Sequence, residues 1–491
     1  MRGCGGGVLR DPPVTNAASA GVVTGSSPTM RTAALLASLL TVALPACGDD
    51  DPDLGDTSST GGGDPSAYAP ALDHVIATID AVHHHTLDGR SPALEAAVAA
   101  ARDAIGDVDS DAEFELLVGR ILVALADGHS TVGLQASAPV ASIDLPMLWL
   151  EDGLVVAKAT DVLVPGDAIV SIGGRSPDTI LADLAAHVSR DHDGALRHAG
   201  PRRVPRQDWL EPMDMIEGGL VAVEIERDGA TLSFDLPLED GLVVDPAPER
   251  PVVGWTIEPE HDLGVFHLDA CIYDANYQDA LDAFMAEVRA QGVGKIAIDL
   301  RYNAGGDVTV AYALLAWLAP EVASFSVSAR KSDALLEQAP IYSDPSFLGL
   351  LEAFGVDLDG STFEVPGAAL STGLGALVPA VAPEDRFTGD IYVLVSPTTY
   401  SSAQLFVGEI VDNGLGLTVG DQTGANRNTT GDMLSFAVPD TDVEFTLAAS
   451  WMTRPAPEDG QGPTLADIPI ALTRADVAAG RDPVLDAVRA R

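Results

Sequence analysis

The sequence predicts an α/β protein, and three observations support this fold class. From residue 257 onward, short apolar runs typical of buried strands alternate with amphipathic helical patterns, as in layered helix–sheet domains. Residues 66–134 show only helical periodicity, whereas residues 139–242 break into short strands separated by Gly and Asp turns. The chain has 491 residues, 46% of them hydrophobic, and is therefore long enough for several domains and a large core.

Residues 1–46 are typical of a leader that ends in a secretory signal peptide. A short basic segment at residues 30–32 precedes an apolar run over residues 33–43, and small residues precede Cys47. The letters L-P-A-C ending at Cys47 resemble a bacterial lipobox. This resemblance implies cleavage before Cys47, its lipidation and anchoring in the bacterial cell envelope. An ordinary signal peptide, with secretion instead of anchoring, is the alternative.

Residues 47–65 are acidic, rich in Gly, Ser and Thr and poor in apolar residues, so they predict a disordered tether. The whole chain carries a formal net charge of −46, which argues against nucleic acid and against direct binding to anionic membranes. Membrane contact is therefore expected only through the lipid anchor. Once Cys47 is lipidated, Cys271 is the only thiol of the mature chain, so we expect no intrachain disulfide and a buried Cys271.

Three helices are predicted in the first folded region and four strands in the second. The third helix ends at residues 127–131, D-G-H-S-T, a turn that leads into an extended segment. Residues 243–256 contain three prolines and are predicted to be a linker. The predicted helices cover residues 72–84, 92–105 and 112–126, and the predicted strands cover residues 154–158, 168–172, 221–226 and 231–236.

Residues 257–491 are predicted to form one domain of alternating strands and helices. Within it, residues 332–388 are irregular and rich in Pro and Gly, and are predicted to form a cover or lid. The predicted strands cover residues 263–268, 295–300, 391–395, 415–419, 434–438 and 443–448, and the predicted helices cover residues 276–290, 309–318 and 402–412.

Two polar segments that follow predicted strands carry the clearest chemistry. Residues 299–306, D-L-R-Y-N-A-G-G, end in a Gly-rich turn whose backbone N–H groups can face a developing anion. Residues 399–404, T-Y-S-S-A-Q, place two serines at the start of a helix, where the macrodipole favours negative charge. Alone, the serines could be helix caps and the glycines a tight turn. On neighbouring strand ends, however, they supply the minimum that acyl transfer needs.

These segments resemble the motifs of the C-terminal processing peptidases, or tail-specific proteases, the serine peptidases of the S41 type. Members carry D-x-R-x-N-x-G-G after a strand and T-x-S-[AS]-[AS]-E before a helix. Residues 126–130 resemble the family's D-G-H-T segment, and residues 466–470 and 479–485 resemble its usual C-terminal close.

The resemblance spans about residues 66–491 and implies a domain order. A helical domain at 66–134 would precede a PDZ-like domain at 139–242 and a crotonase-like catalytic domain, of the ClpP/crotonase type, at 257–491. Residues 164–174 resemble the carboxylate-binding loop of a PDZ domain, a module that captures chain termini by strand addition. A packing or gating role for this module is the alternative.

Carried over position by position, the resemblance makes Ser401 the nucleophile, with Ser402 as the alternative. If Ser401 reacts, the backbone N–H of Ser402 would serve the oxyanion hole. Gly305 or Gly306 would supply the second N–H. Gln404 stands where relatives usually have Glu, which keeps the shape of the side chain but removes a charge.

The general base departs from the commonest family pattern, a Ser–Lys dyad. The position of that lysine is occupied by Asn426, and neither Lys nor His follows Ser401 in the chain. A second branch, similar to the tricorn-type peptidases, uses the His of the D-G-H-T region with a Glu near the C-terminal end. This implies His129 as base, oriented by Glu458 or alternatively Asp459. The alternative for His129 is a helix-end residue that bonds a carbonyl.

The tract His83-His84-His85 invites a metal-binding interpretation, but adjacent helical residues point in different directions. A solvated surface is therefore predicted there, and no metal or organic cofactor is expected.

The sequence thus predicts a serine peptidase that hydrolyses unstructured polypeptides or chain ends through an acyl-enzyme on Ser401, with His129 as base. Two other classes stay open. A catalytically inactive relative would bind peptides or hydrophobic ligands, which the missing lysine and Gln404 would fit. A crotonase-like acyl-transfer enzyme would also use paired N–H donors, but would not explain the regions before residue 257.

Overall fold

A computed structural model describes residues 65–133, 140–319, 321–456 and 461–491. The predicted leader, Cys47 and nearly all of the predicted tether lie outside these ranges, so lipidation and envelope anchoring stay predictions. None of the described helices combines the length and apolarity that crossing a bilayer requires.

Three helices open the described structure, as predicted. Ser91 and Ser110 cap the second and third, because each side chain accepts a hydrogen bond from a backbone N–H of the first turn. The apolar faces of these helices join the same core as the C-terminal region. The third helix ends before the predicted residue 126, since the chain turns at Ala126 with φ +52°. The helices are α1 (Pro65–Val82), α2 (Pro92–Ala104) and α3 (Asp111–Val123).

Residues 142–239 build a six-stranded antiparallel sheet that encloses a core of its own. Its strand order is β1-β6-β5-β4-β3-β2, so β2 lies at one edge, and helix α5 packs against that edge strand. The strands are β1 (Ser142–Ile143), β2 (Met147–Leu150), β3 (Gly153–Val156), β4 (Ala168–Ile172), β5 (Leu220–Arg227) and β6 (Ala230–Glu239), and the helices are α4 (Pro177–His187), α5 (Leu196–Arg203) and α6 (Gln207–Leu210).

The remaining residues form two further sheets and eight helices in the described ranges. The strands are β7 (Val253–Glu258), β8 (Leu263–Leu268), β9 (Lys295–Asp299), β10 (Ser326–Arg330), β11 (Thr362–Val365), β12 (Asp390–Val395), β13 (Leu417–Gly420), β14 (Thr429–Ala437), β15 (Glu444–Thr453) and β16 (Ile468–Pro469). The helices are α7 (Ala275–Gln291), α8 (Thr309–Leu318), α9 (Asp333–Gln338), α10 (Pro345–Ala353), α11 (Gly367–Gly375), α12 (Ser401–Asp412), α13 (Arg474–Ala479) and α14 (Pro483–Arg489).

The larger of these sheets has the order β16-β13-β12-β9-β8-β7 and is parallel except for the β7–β8 pair. One face packs on the main core, which includes α7, α8 and α12, and the other face packs on α14. The α/β fold class predicted from the sequence is confirmed. The prediction that residues 243–256 are only a linker is wrong at its end, because β7 begins at Val253 and pairs with β8.

The smaller sheet is antiparallel with the order β11-β10-β15-β14. The prediction of an irregular lid over residues 332–388 is wrong, because this stretch holds three helices and β11 and buries Tyr342 and Phe347 in the main core. Its prolines begin elements instead of breaking them: Pro345 lies in the first turn of α10, and Pro366 is the residue before α11.

The turn that follows α3 extends the smaller sheet. β10 pairs with β15 only along residues 450–453, which leaves the first half of that side of β15 open. The backbone N–H of Thr131 donates to the carbonyl of Thr446 (3.2 Å), and the N–H of Thr446 donates back to Thr131 (2.8 Å). Gly133 donates to the carbonyl of Glu444 (3.2 Å). The segment that carries His129 is therefore docked on β15 as a short added strand.

Candidate active site

Ser401 lies where two parallel strands end side by side. β9 and β12 pair in register, with Asp299 opposite Leu394, so the segments that follow them leave the sheet at the same edge. The backbone N–H of Tyr400 donates to the carbonyl of Asn303 (3.1 Å) and ties the two segments together. The structure thus brings together the two polar segments singled out in the sequence.

The backbone at Ser401 is strained and closely supported. Ser401 is the first residue of α12 and has φ +49°, a left-handed conformation that is costly for a residue with a Cβ. Gly305 packs against it: a Cβ built on Gly305 would lie 2.6 Å from the Ser401 Cβ and 3.0 Å from the Ser402 nitrogen. Gly305 itself has φ +106°, so both its conformation and its surroundings require glycine.

The two serines have different surroundings. Ser402 is 2% exposed, and its hydroxyl donates to the carbonyl of Gly306 (2.6 Å), so it fastens the helix start to the Gly-rich turn. Ser401 is partly exposed, and its hydroxyl makes no hydrogen bond within the described ranges. Of the two hydroxyls, that of Ser401 is therefore the one available to a substrate.

Near Ser401, the backbone N–H groups of Gly306 and Ser402 have no acceptor among the described residues. The N–H of Gly305 donates instead to the side chain of Asn303 (2.8 Å), which folds the loop. Uncommitted N–H groups on a Gly-rich turn and at a helix N-terminus favour a developing anion. Of the two glycines predicted as donors, Gly306 is thus the one whose N–H is unused.

His129 is buried near this site, with 3% of its surface exposed. Its ring lies against that of Tyr400, with ring centroids 4.8 Å apart. The Nδ1 atom lies 3.2 Å from the hydroxyl of Thr430 and 3.4 Å from that of Tyr400. The Nε2 atom has no partner in the described part of the chain, and no hydrogen bond there joins His129 to Ser401. Burial lowers the pKa of His129, while the nearby Asp127 carboxylate opposes that change.

Asp127, the first residue of the same turn, is a fully buried carboxylate for which the sequence indicated no role. Within the described ranges, it accepts hydrogen bonds from four groups. Burial alone would raise the pKa of Asp127, but the bond from His83 and the other donors bring it well below its usual range. The four donors are His83 Nε2 (2.9 Å), the hydroxyl of Ser130, the backbone N–H of His129 (2.8 Å) and the hydroxyl of Thr430.

The prediction of a solvated His83–His85 surface is wrong for His83, which has no exposed surface. The reason is that α1 ends at Val82, so the tract forms a tight turn instead of a helical face. This turn lies against β15, where the His85 ring is 5.3 Å from that of Trp451. Among the described residues, no cluster of His, Cys, Asp and Glu could hold a metal ion.

Tyr400, the residue before Ser401, contacts the region that contains the sheet β1–β6. Its hydroxyl donates to Asp191 Oδ2 (2.6 Å), a residue that the sequence did not single out. Burial of the Asp191 carboxylate raises its pKa to about 7, and the charge of Asp127 adds to the rise. Asn426, at the position of the family's lysine, donates to the Asp191 carbonyl (3.1 Å).

The other predicted residues fall in different places. Glu458 and its alternative Asp459 lie outside the described residues. Gln404 is buried, and its Nε2 donates to the hydroxyl of Thr464 (3.0 Å), which ties α12 to the segment before β16. Cys271 is buried, as predicted, and its Sγ faces Asn303 Oδ1 at 3.5 Å.

An apolar cavity of about 190 Å³ lies beside Tyr400, between α3 and the helices of the middle region. Leu122 and Trp209 contribute apolar walls. Arg203 also lines it, with 5% exposure and an Nε atom that has no partner among the described residues.

Comparison with known proteins defines the class to which this site belongs. Residues 262–454 match the family model "Peptidase family S41". This region, which contains Ser401 and the Gly-rich turn, belongs to peptidase family S41, as the two motifs predict. No curated protein sequence matches the chain significantly.

Two solved structures of CPAF share the fold at low sequence identity. Mature CPAF complexed with lactacystin is 16% identical, with a TM-score of 0.61 over 87% of this chain and 98% of that chain. A CPAF mutant is 15% identical, with a TM-score of 0.63 over 87% and 96% of the two chains. A putative S41 protease from Bacteroides fragilis is 13% identical, with a TM-score of 0.43 over 85% and 96%.

Proposed function

We propose that the protein is a serine peptidase in which Ser401 attacks the scissile carbonyl. The observation that carries this proposal is the strained start of α12, where Ser401 is held at φ +49° against Gly305 with an uncommitted hydroxyl. Strain of this kind persists where the surrounding structure maintains it, and it is concentrated at functional sites. Membership of residues 262–454 in peptidase family S41 supports the same chemistry.

His129 is the proposed general base. Its Nε2 accepts the proton of Ser401 as the hydroxyl oxygen bonds to the carbonyl carbon, and the oxyanion is stabilised by the N–H groups of Gly306 and Ser402. His129 then gives that proton to the leaving amine as the C–N bond breaks. Water hydrolyses the acyl-enzyme by the same proton path in reverse. Because no hydrogen bond joins His129 and Ser401 in this structure, the mechanism requires the two side chains to approach when substrate binds.

The proposed substrates are unstructured polypeptides or chain ends, since a peptide bond must reach Ser401 in an extended form. The apolar cavity beside Tyr400, the residue before Ser401, offers space for a substrate side chain. A PDZ-like role for the sheet β1–β6, a crotonase-like classification of the catalytic region and anchoring through Cys47 belong to the same proposal. So does Glu458 as a further carboxylate for His129.

A binding protein without catalysis is the second candidate. The missing hydrogen bond between Ser401 and His129 favours it, as does Gln404 at the position of the family's Glu. Such a protein would keep the fold and the cavity, but its serine would not be activated.

The deciding experiment treats the purified full-length protein with a fluorophosphonate probe and locates the modified residue by peptide mass spectrometry. We expect labelling of Ser401 in the wild type and in Ser402→Ala, and its loss in Ser401→Ala and His129→Ala. An unfolded polypeptide is then offered as substrate, and cleavage should be lost in the same two variants. A folded wild type that is neither labelled nor able to cleave would overturn the peptidase in favour of the binding protein.

A further inference from the structure

We infer that His83, Asp127 and Thr430 form a positioning relay that fixes the imidazole of His129 with its proton on Nδ1 and its lone pair on Nε2. The inference rests on the proposed function, in which that lone pair takes the proton of Ser401. It adds three positioning residues to the reaction, and it gives a role to the histidine tract at residues 83–85.

The hydrogen atoms between Asp127 and His129 can be assigned one by one. The ionised Asp127 carboxylate has no proton to donate, so the hydroxyl of Thr430 donates its only hydrogen to Asp127 Oδ1. The oxygen of Thr430 can then only accept from His129 Nδ1, which lies 3.2 Å away. The Nδ1–H tautomer follows, and it leaves Nε2 unprotonated.

The position of the proton on His83, at the outer end of the relay, can be assigned in the same way. The backbone N–H of His85 donates to His83 Nδ1 (3.1 Å), so this nitrogen carries no proton. The proton of His83 therefore lies on Nε2, which donates to Asp127 Oδ2 (2.9 Å). A neutral His83 thus holds one carboxylate oxygen, while Thr430 and the backbone N–H of His129 hold the other.

The relay is assembled from three separate elements and excludes water. His83 follows α1, Asp127 and His129 follow α3, and Thr430 lies on β14. All four side chains are at most 3% exposed, so bulk water does not compete for these bonds. The only other polar group that meets the His129 ring in the described ranges is the Tyr400 hydroxyl, which in turn contacts the Asp191 carboxylate.

One feature of His129 is explained by this arrangement. Its Nε2 is buried without a partner, although an unpaired buried nitrogen normally costs stability. A relay that occupies Nδ1 leaves Nε2 as the one position on the ring where a substrate-bound Ser401 hydroxyl can donate. The ring is therefore oriented for the reaction before substrate arrives.

Removing the Thr430 hydroxyl tests the inner bond. Thr430→Val keeps the shape but removes the hydroxyl that joins Asp127 Oδ1 to His129 Nδ1, and should slow fluorophosphonate labelling about tenfold or more, part of the ~100- to 10,000-fold supplied by general-base catalysis. The acid-side midpoint of the pH–rate profile should move to lower pH, since the imidazolium loses its link to the carboxylate. Thr418→Val is the matched control, because Thr418 is equally buried and bonds the carboxylate of Asp467 (2.9 Å) away from the site.

Changing His83 tests the outer bond. His83→Leu removes the donor to Asp127 and should also slow labelling about tenfold, whereas His83→Gln, which retains an N–H donor, should stay within about threefold of the wild type. Equal rates and equal pH midpoints for Thr430→Val, His83→Leu and Thr418→Val would overturn the relay while leaving the peptidase intact.

Nuclear magnetic resonance of the ¹⁵N-histidine-labelled full-length protein tests the relay in the wild type without any measurement of activity. At pH 8, His129 should be protonated on Nδ1 and His83 on Nε2, with each ring assigned from the signals lost in its His→Gln variant. The opposite tautomer in either ring would overturn the inference. If the tautomers are as expected but the wild type is not labelled at Ser401, the proposed function fails and the relay stands.

Discussion

Replacing Glu409 by Gln should stabilise the protein at pH 8 and have little effect at pH 4. Glu409 lies in α12 and is 1% exposed. Its Oε1 accepts hydrogen bonds from Ser324 (2.7 Å) and Tyr312 (3.2 Å), but its Oε2 has no partner among the described residues. An ionised carboxylate with one unsolvated oxygen is costly, so the native state favours the protonated form.

The magnitude follows from the pKa of Glu409. Burial raises it from its ordinary value of 4.5 to about 7, against the hydrogen bonds of Ser324 and Tyr312, which oppose the rise. The folded state therefore binds a proton more tightly than the unfolded state. The contribution to stability is complete below pH 4.5, falls by about 1.4 kcal/mol per pH unit as the pH rises, and is lost above pH 7. At pH 8 the free energy of unfolding of the wild type should thus be about 3 kcal/mol lower than that of Glu409→Gln.

The assay is denaturant unfolding of both proteins at pH 4 and pH 8, with Glu352→Gln as control. Glu352 is exposed on α10, so its substitution removes the same charge without the burial. The free energy of unfolding of Glu409→Gln should exceed that of the wild type at pH 8 only. An equal difference at both pH values, or a Glu409→Gln protein that is less stable at pH 8, would refute the reasoning.

Three further predictions concern the site and its support. Gly305→Ala places a methyl group 2.6 Å from the Ser401 Cβ and should slow fluorophosphonate labelling about 100-fold, and unchanged labelling would contradict the packing argument. Ser402→Ala should cost about 1–2 kcal/mol in denaturant unfolding yet retain labelling of Ser401, and loss of labelling would instead make Ser402 the nucleophile. Arg301→Gln leaves the buried Asp299 with only its longer contact to Arg250 (3.4 Å), so the cost at pH 7 should be about 3 kcal/mol, the lower end for a broken buried ion pair. Burial raises the pKa of Asp299, but Arg301 outweighs burial and holds this pKa at about 2. The loss of stability in Arg301→Gln should therefore shrink as the pH falls from 4 towards 2.

The elements with strong periodicity were predictable from the sequence. The strand Leu263–Leu268 and the helix Thr309–Leu318 match the predicted ranges to the residue, because continuous apolar runs and clear helical spacing decide them locally. Prolines caused the two errors in the predicted fold, the linker over residues 243–256 and the lid over residues 332–388. Three prolines masked the start of β7 at Val253, and those of residues 332–388 indicated a loop where they begin helices.

Within the site, the motif-bearing segments were predictable and the contacts between distant side chains were not. Ser401 and Gly305 lie in short sequence motifs that directly follow predicted strands, so both could be recognised from the local sequence. The bond from His83 to Asp127 spans 44 positions, that from Thr430 to Asp127 spans 303, and that from Tyr400 to Asp191 spans 209. Such contacts depend on how helices and sheets pack, and no local spacing encodes them.

The added strand at Thr131–Gly133 has a consequence for the solution behaviour of the protein. It covers the half of β15 that β10 leaves open, around Glu444–Thr446. Without it, that row of backbone groups would be an exposed edge able to pair with another molecule. Thr131→Pro removes the backbone N–H that donates to Thr446 and should therefore promote self-association, which light scattering would detect; a monodisperse variant would show that this edge is protected by other means. The segment that carries His129 should thus also reduce aggregation of the protein.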